Sequence, residues 1–335
     1  MSLLFRVDPI HPQAELISQA ARILQAGGLV AFPTETVYGL GANALEANAV
    51  EKIFKVKRRP SYNPLIVHVS SIENAQQLVR SWPASAAKLA NLFWPGPLTM
   101  VLPKRRQVPN IVTAGLDSVA LRVPAHPVAL ALLELSNLPV AAPSANRSTQ
   151  LSPTTAQHVD KSLGDEVDLI LDGGATNLGI ESTVIDLTGT RPVLLRPGII
   201  PCEELQSIIG DVDVPENTNQ GSSPRISPGM LDRHYAPHAS VVLFDPEKLV
   251  GIRDLLEKER AQGGIVGALL LTSLDLPVQH PIPMPFNPLN YARLFYASLH
   301  SLDELECTLI LVEKIPNGPT WTAISDRLKR ASQHG

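Results

Sequence analysis

The sequence predicts a mixed-sheet α/β fold followed by a second, smaller α/β unit, and three observations support this prediction. Short apolar runs with strand character alternate with segments whose apolar residues recur at helical spacing. Some predicted strands follow one another directly, which favours a mixed sheet over a purely parallel one. The length of 335 residues suits two domains, and a stretch rich in Pro, Gly and Ser separates them.

The first unit is predicted to span residues 1–210. Leu16, Ala20 and Ile23 recur at helical spacing and predict a helix that Gly27 ends. Ser70 and Glu73 resemble a capping box that begins a later helix. Further helices are predicted near 126–136, 153–163 and 201–209. The predicted strands are "LVAF", "PLIVHV", "LTMVLP", "VALRV", "LPVAA", "DLILD", "STVIDL" and "PVLLR".

The second unit is predicted to span residues 241–335, after a linker or long loop at 211–240. Loops of this length are usually functional or disordered. The strands predicted beyond the linker are "VVLF", "IVGALLL" and "TLILV", and the helices between them are "PEKLVGIRDLLEKERAQ" and "PLNYARLFYASLHSLDEL".

Composition excludes several classes of protein. The chain has 28 Lys and Arg against 32 Asp and Glu, whereas general nucleic-acid binders carry a basic domain or stripe. Its two cysteines, Cys202 and Cys307, lie too far apart for a CxxC site and are too few for a disulfide framework. The chain opens without a signal peptide and has no apolar run of membrane-spanning length. We therefore expect a cytoplasmic protein without a membrane partner.

The stretch "VAFPTETVYGLGANA" places hydroxyls and a carboxylate at the end of a predicted strand. Its glycines match the pattern G-x-G-x-x-A, a variant of the dinucleotide fingerprint. Gly39, however, lies seven positions beyond Phe32, whereas the fingerprint turn follows its strand directly. The spacing therefore argues against a Rossmann cofactor site.

Cationic side chains occur at the ends of several predicted elements. Lys57 and Arg59, in "KVKRRPSYN", either stabilise a helix C-terminus or bind phosphate. Arg122 and Arg196 lie in apolar strands, where a buried guanidinium needs an anionic partner. Few carboxylates lie in these strands, so we predict that both arginines bind a ligand's negative charge.

Hydroxyl groups cluster after the strand "LPVAA". Ser144, Asn146 and Ser148 form either a polar turn or a phosphate cradle, and Ser152 is predicted to cap a helix that starts at Pro153. His68 lies in an apolar strand, where histidine is either a packed core residue or a catalyst. Hydroxyls and cations at strand ends suit a phosphate-rich ligand and catalysis by positioning and charge neutralisation.

Seven motifs in order resemble the YrdC/TsaC family of threonylcarbamoyl-AMP synthases, in its longer two-domain form. They are "FPTETVYGLGANA", "KVKRRPSYNPLIVHV", "WPGPLTMVL", "LRVPAHP", "APSANRS", "GIESTVIDL" and "LLRPG". The resemblance implies a twisted mixed sheet with helices, a small Rossmann-like C-terminal domain, and a linker that acts as a lid. It also implies synthesis of threonylcarbamoyl-AMP and pyrophosphate from L-threonine, bicarbonate and ATP. The product then serves tRNA modification by a downstream threonylcarbamoyl transferase machinery.

The resemblance also implies roles for individual residues. Lys57 and Arg59 are the expected catalytic cations, and magnesium is expected to arrive with ATP rather than in a protein metal site. Gly39 and Gly41 are expected to form a tight turn, and Glu35 is either a structural or a catalytic group. The expected L-threonine ligands are Thr36, His68, Arg122, Ala142 through its backbone, and Ser182, with Thr34 beside them. The expected ATP ligands are Arg59, Asn63, Ser118, Ser144, Ser152, Arg196 and Tyr235.

Two rival hypotheses remain at this point. One is a non-catalytic RNA-binding module of the same fold, which the net charge of −4 disfavours, although a weak direct contact with RNA stays open. The other is a carbamoyl-transfer domain like that of the hydrogenase maturation relatives. Those relatives carry a zinc-finger segment, and this chain lacks the cysteines for one.

Overall fold

A computed structural model describes residues 3–215 and 236–332 of the chain. These residues form a ten-stranded sheet and a separate four-stranded sheet, each with helices packed on it. The central part of the predicted linker, with the lid expected there, lies outside the described residues. Within the two described ranges, no helix combines the length and the apolar character needed to cross a membrane.

The first domain contains the ten-stranded sheet. Its strands are β1 (Leu3–Arg6), β2 (Val30–Phe32), β3 (Gly39–Asn43), β4 (Ile66–His68), β5 (Leu98–Pro103), β6 (Ser118–Arg122), β7 (Val140–Ala141), β8 (Leu169–Asp172), β9 (Thr183–Asp186) and β10 (Val193–Arg196). Its helices are α1 (Ala14–Gln25), α2 (Ala47–Lys57), α3 (Ile72–Gln76), α4 (Ala84–Phe93), α5 (Pro127–Ser136), α6 (Ala156–Leu163) and α7 (Cys202–Ile209).

The strand order β1-β8-β2-β3-β7-β4-β6-β5-β9-β10 combines parallel and antiparallel neighbours. For example, β4 runs parallel to β6, whereas β5 runs antiparallel to it. Adjacent residues of one strand enter opposite apolar clusters: Val30 and Phe32 pack with α1 and α5, and Ala31 packs with α2 and α4. Helices therefore cover both faces of the sheet, and the predicted mixed-sheet α/β fold is confirmed.

The expected tight turn at Gly39 and Gly41 is wrong, because both residues lie in strand β3, antiparallel to β2. Close packing explains the glycines instead. A Cβ on Gly41 would lie 2.8 Å from both Phe32 and Val140, and a Cβ on Gly39 would lie 3.3 Å from the Cβ of Ala142. These glycines let neighbouring side chains close over the strand, which brings β3 against β2 and β7.

Two predicted helix starts are displaced. Helix α3 is capped by Ser71, whose Oγ accepts from the backbone N–H of Asn74, while the predicted cap Ser70 accepts from the Asn74 side chain. Helix α6 is capped by Thr155, so Ser152 is not its N-cap. In both places a neighbouring hydroxyl residue accepts from the free backbone N–H groups at the helix start. Because several hydroxyl residues lie close together in the sequence, the sequence does not show which of them is the cap.

The second domain contains a parallel four-stranded sheet in the order β11-β14-β12-β13. Its elements are β11 (Ser240–Phe244), α8 (Val250–Ala261), β12 (Val266–Leu270), β13 (His280–Pro283), α9 (Pro288–Glu304), β14 (Leu309–Glu313) and α10 (Thr322–Ala331). The sequence did not predict β13 or α10 in this domain. The parallel sheet with helices confirms the predicted small α/β domain.

The two domains share an apolar core. Tyr291 and Phe295 of α9 pack in one cluster with Val37 and Ile180 of the first domain. The backbone N–H of Leu194 in β10 donates to the carbonyl of Asp213 over 2.8 Å, so the segment after α7 also pairs with the ten-stranded sheet. The C-terminal domain therefore packs directly against the segments that carry the cleft residues.

Candidate active site

One cleft collects the ends of several strands of the ten-stranded sheet. It lies where β4 and β6 end, after β2 and β7, and beside the start of β9 and the end of β10. The residues that line it are Thr34, Thr36, Val37, Tyr38, Gly39, Arg59, Ile66, His68, Arg122, Ala142, Pro143, Ser144, Glu181, Ser182 and Arg196. Strand ends from one sheet thus bring together residues that are distant in the sequence.

The loop after β2 is organised by the hydroxyl of Thr34. Its Oγ1 donates to the carbonyl of Val37 over 2.7 Å and accepts from the backbone N–H groups of Thr36 and Val37. The same oxygen lies 2.8 Å from Oγ1 of Thr36. Thr34 therefore fixes the turn that presents Thr36 to the cleft.

Arg122, at the end of β6, has three different neighbours. Its Nη1 donates to Oγ1 of Thr36 over 2.9 Å, and its Nε donates to the carbonyl of Gly96 over 3.1 Å. Its Nη2 lies 2.7 Å from Oε1 of Glu35, and both side chains are buried. The inference that Arg122 lacks a protein carboxylate is therefore wrong, because the loop after β2 supplies one from outside the strands.

Glu35 has an ion pair with Arg122 but poor alignment for a hydrogen bond. Within the described residues neither of its carboxylate oxygens has a hydrogen-bond partner. The sequence left a structural and a catalytic role open for Glu35. The structure shows no structural hydrogen bond to its carboxylate among the described residues. Its ion pair with Arg122 nevertheless orients the guanidinium.

His68, the last residue of β4, is almost completely buried beside Arg122. Burial, with a further contribution from the charge of Arg122, lowers the pKa of His68 to about 3. The imidazole is therefore neutral near pH 7. Among the described atoms its Nδ1 has no hydrogen-bond partner. The cleft thus contains a neutral imidazole with one ring nitrogen that has no hydrogen-bond partner in the described residues. A histidine that only packs in the core normally has its buried polar atoms hydrogen-bonded.

Lys57 ends helix α2 and is 1% exposed. Its Nζ donates to the carbonyl of Ser144 over 2.6 Å and also to the carbonyl of Asn146. Burial, followed by the nearby charge of Arg59, places the pKa of Lys57 well below its ordinary value. A purely surface role at the helix C-terminus is excluded for Lys57, which instead holds the loop that carries Ser144.

Arg59 follows the end of α2 and lines the cleft. Arg58, which lies between Lys57 at the end of the helix and Arg59, adopts a left-handed conformation with φ of 51°. This conformation turns the chain out of the helix. Arg59 then donates through Nε to the carbonyl of Asn63 over 3.2 Å and through Nη2 to the carbonyl of Pro64 over 3.0 Å. Its guanidinium is thereby fixed beside Ser144 in the cleft wall.

Arg196 and Ser182 form another wall of the cleft. Arg196 donates through Nε to the Ser182 carbonyl and through Nη2 to its Oγ, over 3.1 Å in each case. The Ser182 hydroxyl also lies 2.8 Å from Oγ1 of Thr99. The pairing register between β9 and β10 shifts between Leu194 and Arg196. Such an irregularity changes the direction of the Arg196 side chain at the end of the sheet.

Comparison with known proteins places these features in a family. Residues 22–198 match a family model described as "Telomere recombination", and residues 200–333 match "Threonylcarbamoyl-AMP synthase, C-terminal domain". A threonylcarbamoyl-AMP synthase of Pyrococcus abyssi is 45% identical over 93% of each chain. The chain belongs to the threonylcarbamoyl-AMP synthase family. Its Bacillus subtilis relative is 42% identical over 97% of this chain and 95% of its own.

Solved structures give the same relationship. The chain is similar to P. abyssi Sua5 crystallised with L-threonine, with a TM-score of 0.93, 42% identity and coverage of 99% of this chain and 98% of that one. E. coli YciO is 28% identical with a TM-score of 0.53, and it covers 59% of this chain. The first domain alone thus accounts for the shorter relative, whereas Sua5 shares both domains with this chain.

Within this synthase family member, the cleft brings together most of the residues that the sequence singled out. The residues among them that line the cleft are Thr36, Arg59, His68, Arg122, Ala142, Ser144, Ser182 and Arg196. Their individual roles toward a ligand remain predictions.

Among the described residues, four predicted site residues are not part of the cleft lining: Lys57, Asn63, Ser118 and Ser152. Asn63 is completely buried, and neither Oδ1 nor Nδ2 has a hydrogen-bond partner in the described part of the chain. Ser152 is also buried and donates to Oε1 of Glu181 over 2.5 Å. Ser118 lies at the opposite end of β6 from Arg122, about 13 Å away along an extended strand. Tyr235 lies outside the described residues.

The donor set does not fit a dedicated metal site in this synthase. Among residues 3–215 and 236–332 there is no group of three or more His, Cys, Asp or Glu side chains placed to hold a metal ion. Glu35 and Glu181, the carboxylates near the cleft, are each ion-paired with an arginine. Magnesium therefore remains a proposal in which the ion is bound by the substrate's phosphates.

Sequence reasoning missed two groups that hold Glu181 in the cleft wall. Tyr296 of α9 and Arg327 of α10 both donate to the Glu181 carboxylate. Both lie more than a hundred residues from Glu181 in sequence and in the other domain, so no local motif connects them. The only available signal was a carboxylate within the apolar stretch "GIESTVI", which requires a cationic partner from somewhere.

Proposed function

We propose that this enzyme is a nucleotidyltransferase that forms threonylcarbamoyl-AMP and pyrophosphate from L-threonine, bicarbonate and ATP. The single observation that carries the proposal is the composition of one cleft. Its lining combines neutral polar groups with the buried guanidinium groups of Arg59, Arg122 and Arg196. The neutral polar groups suit a small amino acid and the guanidinium groups suit a polyphosphate.

The proposed threonine subsite consists of Thr36, His68, Arg122, Ser182 and the backbone at Ala142. Arg122 would bind the threonine carboxylate, and Thr36, already hydrogen-bonded to Arg122, would supply a hydroxyl. His68 is uncharged, so it does not repel the ammonium group of threonine, and its free Nδ1 suits acceptance of an N–H from the amine.

In the proposed reaction the threonine nitrogen attacks CO₂ derived from bicarbonate, forms an N–C bond and loses a proton. An oxygen of the resulting carbamate attacks the α-phosphorus of ATP, and the bond to pyrophosphate breaks. Arg59 and Arg196 would neutralise the charge that develops on the phosphates, while Lys57 would keep Ser144 in place. Carbamates decompose in water, so burial of this part of the cleft favours the product.

The remaining proposals concern ligands and partners. Asn63, Ser118, Ser152 and Tyr235 would contact ATP directly or order the groups that do. Magnesium would be bound by the ATP phosphates, and no step of this reaction is derived through a protein-bound ion. The product is a reactive mixed anhydride, so it would pass to a tRNA threonylcarbamoyl transferase machinery.

Product formation by the full chain tests this proposal. Purified protein with L-threonine, bicarbonate and ATP is expected to release pyrophosphate and threonylcarbamoyl-AMP, measured together by chromatography. Omission of threonine or bicarbonate should abolish both products. ATP turnover that continues without threonine would contradict the proposal, and binding of RNA without any turnover would favour the rival RNA-binding module.

A matched pair of variants tests the phosphate subsite. Arg59→Ala should weaken ATP binding, because Arg59 is buried in the cleft wall. Lys55→Ala removes a cation from the same helix end at an exposed position and should leave ATP binding unchanged. If calorimetry gives equal ATP affinities for both variants and the wild type, Arg59 serves only the helix end.

A further inference from the structure

The side chain of Arg327 belongs to the C-terminal domain but contacts the first domain. It lies on α10 and is completely buried. Its Nε donates to Oε2 of Glu181 over 2.8 Å, and its Nη1 donates to the carbonyl of Pro197 over 3.1 Å. Both acceptors are in the first domain, so a single guanidinium makes two hydrogen bonds across the domain boundary.

The two acceptors adjoin the residues of one cleft wall. Glu181 immediately precedes Ser182, and Pro197 immediately follows Arg196. Arg196 and Ser182 are in turn joined by two hydrogen bonds of 3.1 Å. Arg327 therefore ties together the two chain segments whose side chains form this wall.

We propose that Arg327 is a positioning residue for the nucleotide end of the cleft, and that it acts by holding and neutralising Glu181. The C-terminal domain would then be a working part of the active site. This inference rests on the proposed function, because it assigns Arg196 to a phosphate of ATP.

The electrostatics of Glu181 support this role. Its carboxylate is buried, lines the cleft and also accepts from Ser152 and Tyr296. Burial alone would raise its pKa, but the charges of Arg327 and then Arg196 lower it, so the group stays ionised. Without Arg327, this negative charge would depend more strongly on Arg196 and would oppose a phosphate approaching the same guanidinium.

A second ion pair between the domains provides the comparison. Lys161 of α6 lies 3.5 Å from Glu304 of α9, and both side chains are more than half exposed. This pair also joins the two domains, but it has no contact with the cleft lining. A substitution there reports what the loss of an ordinary interdomain contact does.

The test measures ATP and L-threonine binding by calorimetry on the full-length protein. Arg327→Met should raise the Kd for ATP about tenfold and the Kd for threonine by a smaller factor. Glu304→Gln, the control, should leave both Kd values unchanged. The double variant Arg327→Met/Glu181→Gln should recover most of the ATP affinity, because it removes the cleft carboxylate that Arg327 neutralises. Asp326, the other carboxylate paired with Arg327, keeps its ion pair with Arg330 in every variant. A merely structural role would not show this rescue.

The possible outcomes separate the role of Arg327 from the proposed function. An ATP Kd in Arg327→Met equal to that of the wild type overturns the inference but leaves the proposed function intact. No ATP binding and no product with the wild type overturn the proposed function itself. If Arg327→Met does not fold, Tyr296→Phe removes one donor from the same carboxylate at nearly constant volume. It should weaken ATP binding in the same direction, and an unchanged Kd would overturn the inference.

Discussion

The two domains bury polar side chains in different ways. In the first domain, buried polar and charged residues concentrate around the cleft, among them Thr36, Lys57, His68 and Arg122. In the described part of the C-terminal domain, the buried polar residues are Ser298, Glu313 and Arg327. Of these, Arg327 contacts the first domain. The interior of the C-terminal domain is otherwise apolar, as expected for a buried parallel sheet.

Individual buried polar groups of the two domains also differ in their hydrogen bonding. The Glu313 carboxylate accepts from the backbone N–H groups of Leu271 and Thr272 and from the Thr272 hydroxyl, at 2.7 to 2.9 Å. Among the described residues, His68 Nδ1 and both amide atoms of Asn63 in the first domain lack partners, as does the Tyr291 hydroxyl in the C-terminal domain. Each such buried atom costs about 1–3 kcal/mol. Of these residues His68 lines the cleft, so we conclude that the cost at His68 is retained for a ligand, while Glu313 serves the fold.

The largest expected effect comes from Arg122→Ala. The KM for L-threonine should rise about 30- to 1,000-fold, because a charged hydrogen bond to its carboxylate is lost. The buried Glu35 would also lose its cation and face the substrate carboxylate. Steady-state kinetics with each substrate varied in turn measure the effect, and the KM for ATP should change much less.

Two controls accompany this variant. Arg80→Ala removes an exposed arginine and should leave both KM values unchanged. Arg122→Ala/Glu35→Gln removes the orphaned charge as well, so it should regain thermal stability without regaining threonine affinity. An equal rise of both KM values in Arg122→Ala would show that Arg122 only supports the sheet.

A smaller effect is expected in the packing around β3, which brings one edge of the cleft into place. Gly41→Ala should lower the free energy of unfolding by about 1–3 kcal/mol, because the new methyl group would lie 2.8 Å from Phe32 and Val140. Gly251→Ala, at a helix position with open space around it, is the control and should not destabilise the protein. Urea unfolding of both variants checks this, and equal midpoints would contradict the packing argument.

Much of this arrangement was accessible from the sequence, since apolar periodicity located most strands and helices of both domains. The motif residues of the cleft also follow strand ends, where a sheet brings distant segments together. The conformation of Gly39–Asn43 was not accessible, because glycine in a strand and glycine in a turn give the same local pattern. The partners Glu35–Arg122 and Glu181–Arg327 were also missed, because long-range pairing of charges leaves no local spacing to read.

The boundary between the domains should be sensitive to pH. His300 of α9 stacks on His158 of α6 with ring centroids 3.8 Å apart, and Lys161, His238, Asp303 and Glu304 surround the pair. Burial, followed by the charge that His158 would carry, lowers the pKa of His300 to about 3. Protonation therefore favours the unfolded chain, where histidine has a pKa of about 6.5.

The contribution of neutral His300 is fully present above about pH 6.5 and is lost progressively as the pH falls toward 3. The slope from this group is at most about 1.4 kcal/mol per pH unit. Urea unfolding at several pH values should therefore give a flatter slope for His300→Gln than for the wild type. His11→Gln, at an exposed site, should retain the wild-type slope, and identical slopes in all three proteins would refute the assignment.

The smallest effect is expected for Glu313→Gln, which tests the other side of the comparison. An amide keeps one oxygen toward the N–H groups of Leu271 and Thr272 but loses the charge that strengthens these bonds. The free energy of unfolding should fall by about 1 kcal/mol. Because these bonds close the loop after β12 and involve no residue of the cleft lining, the Kd values for ATP and threonine should not change. A loss of ATP affinity without a loss of stability would show that the interior of the C-terminal domain reaches the cleft by a route other than Arg327.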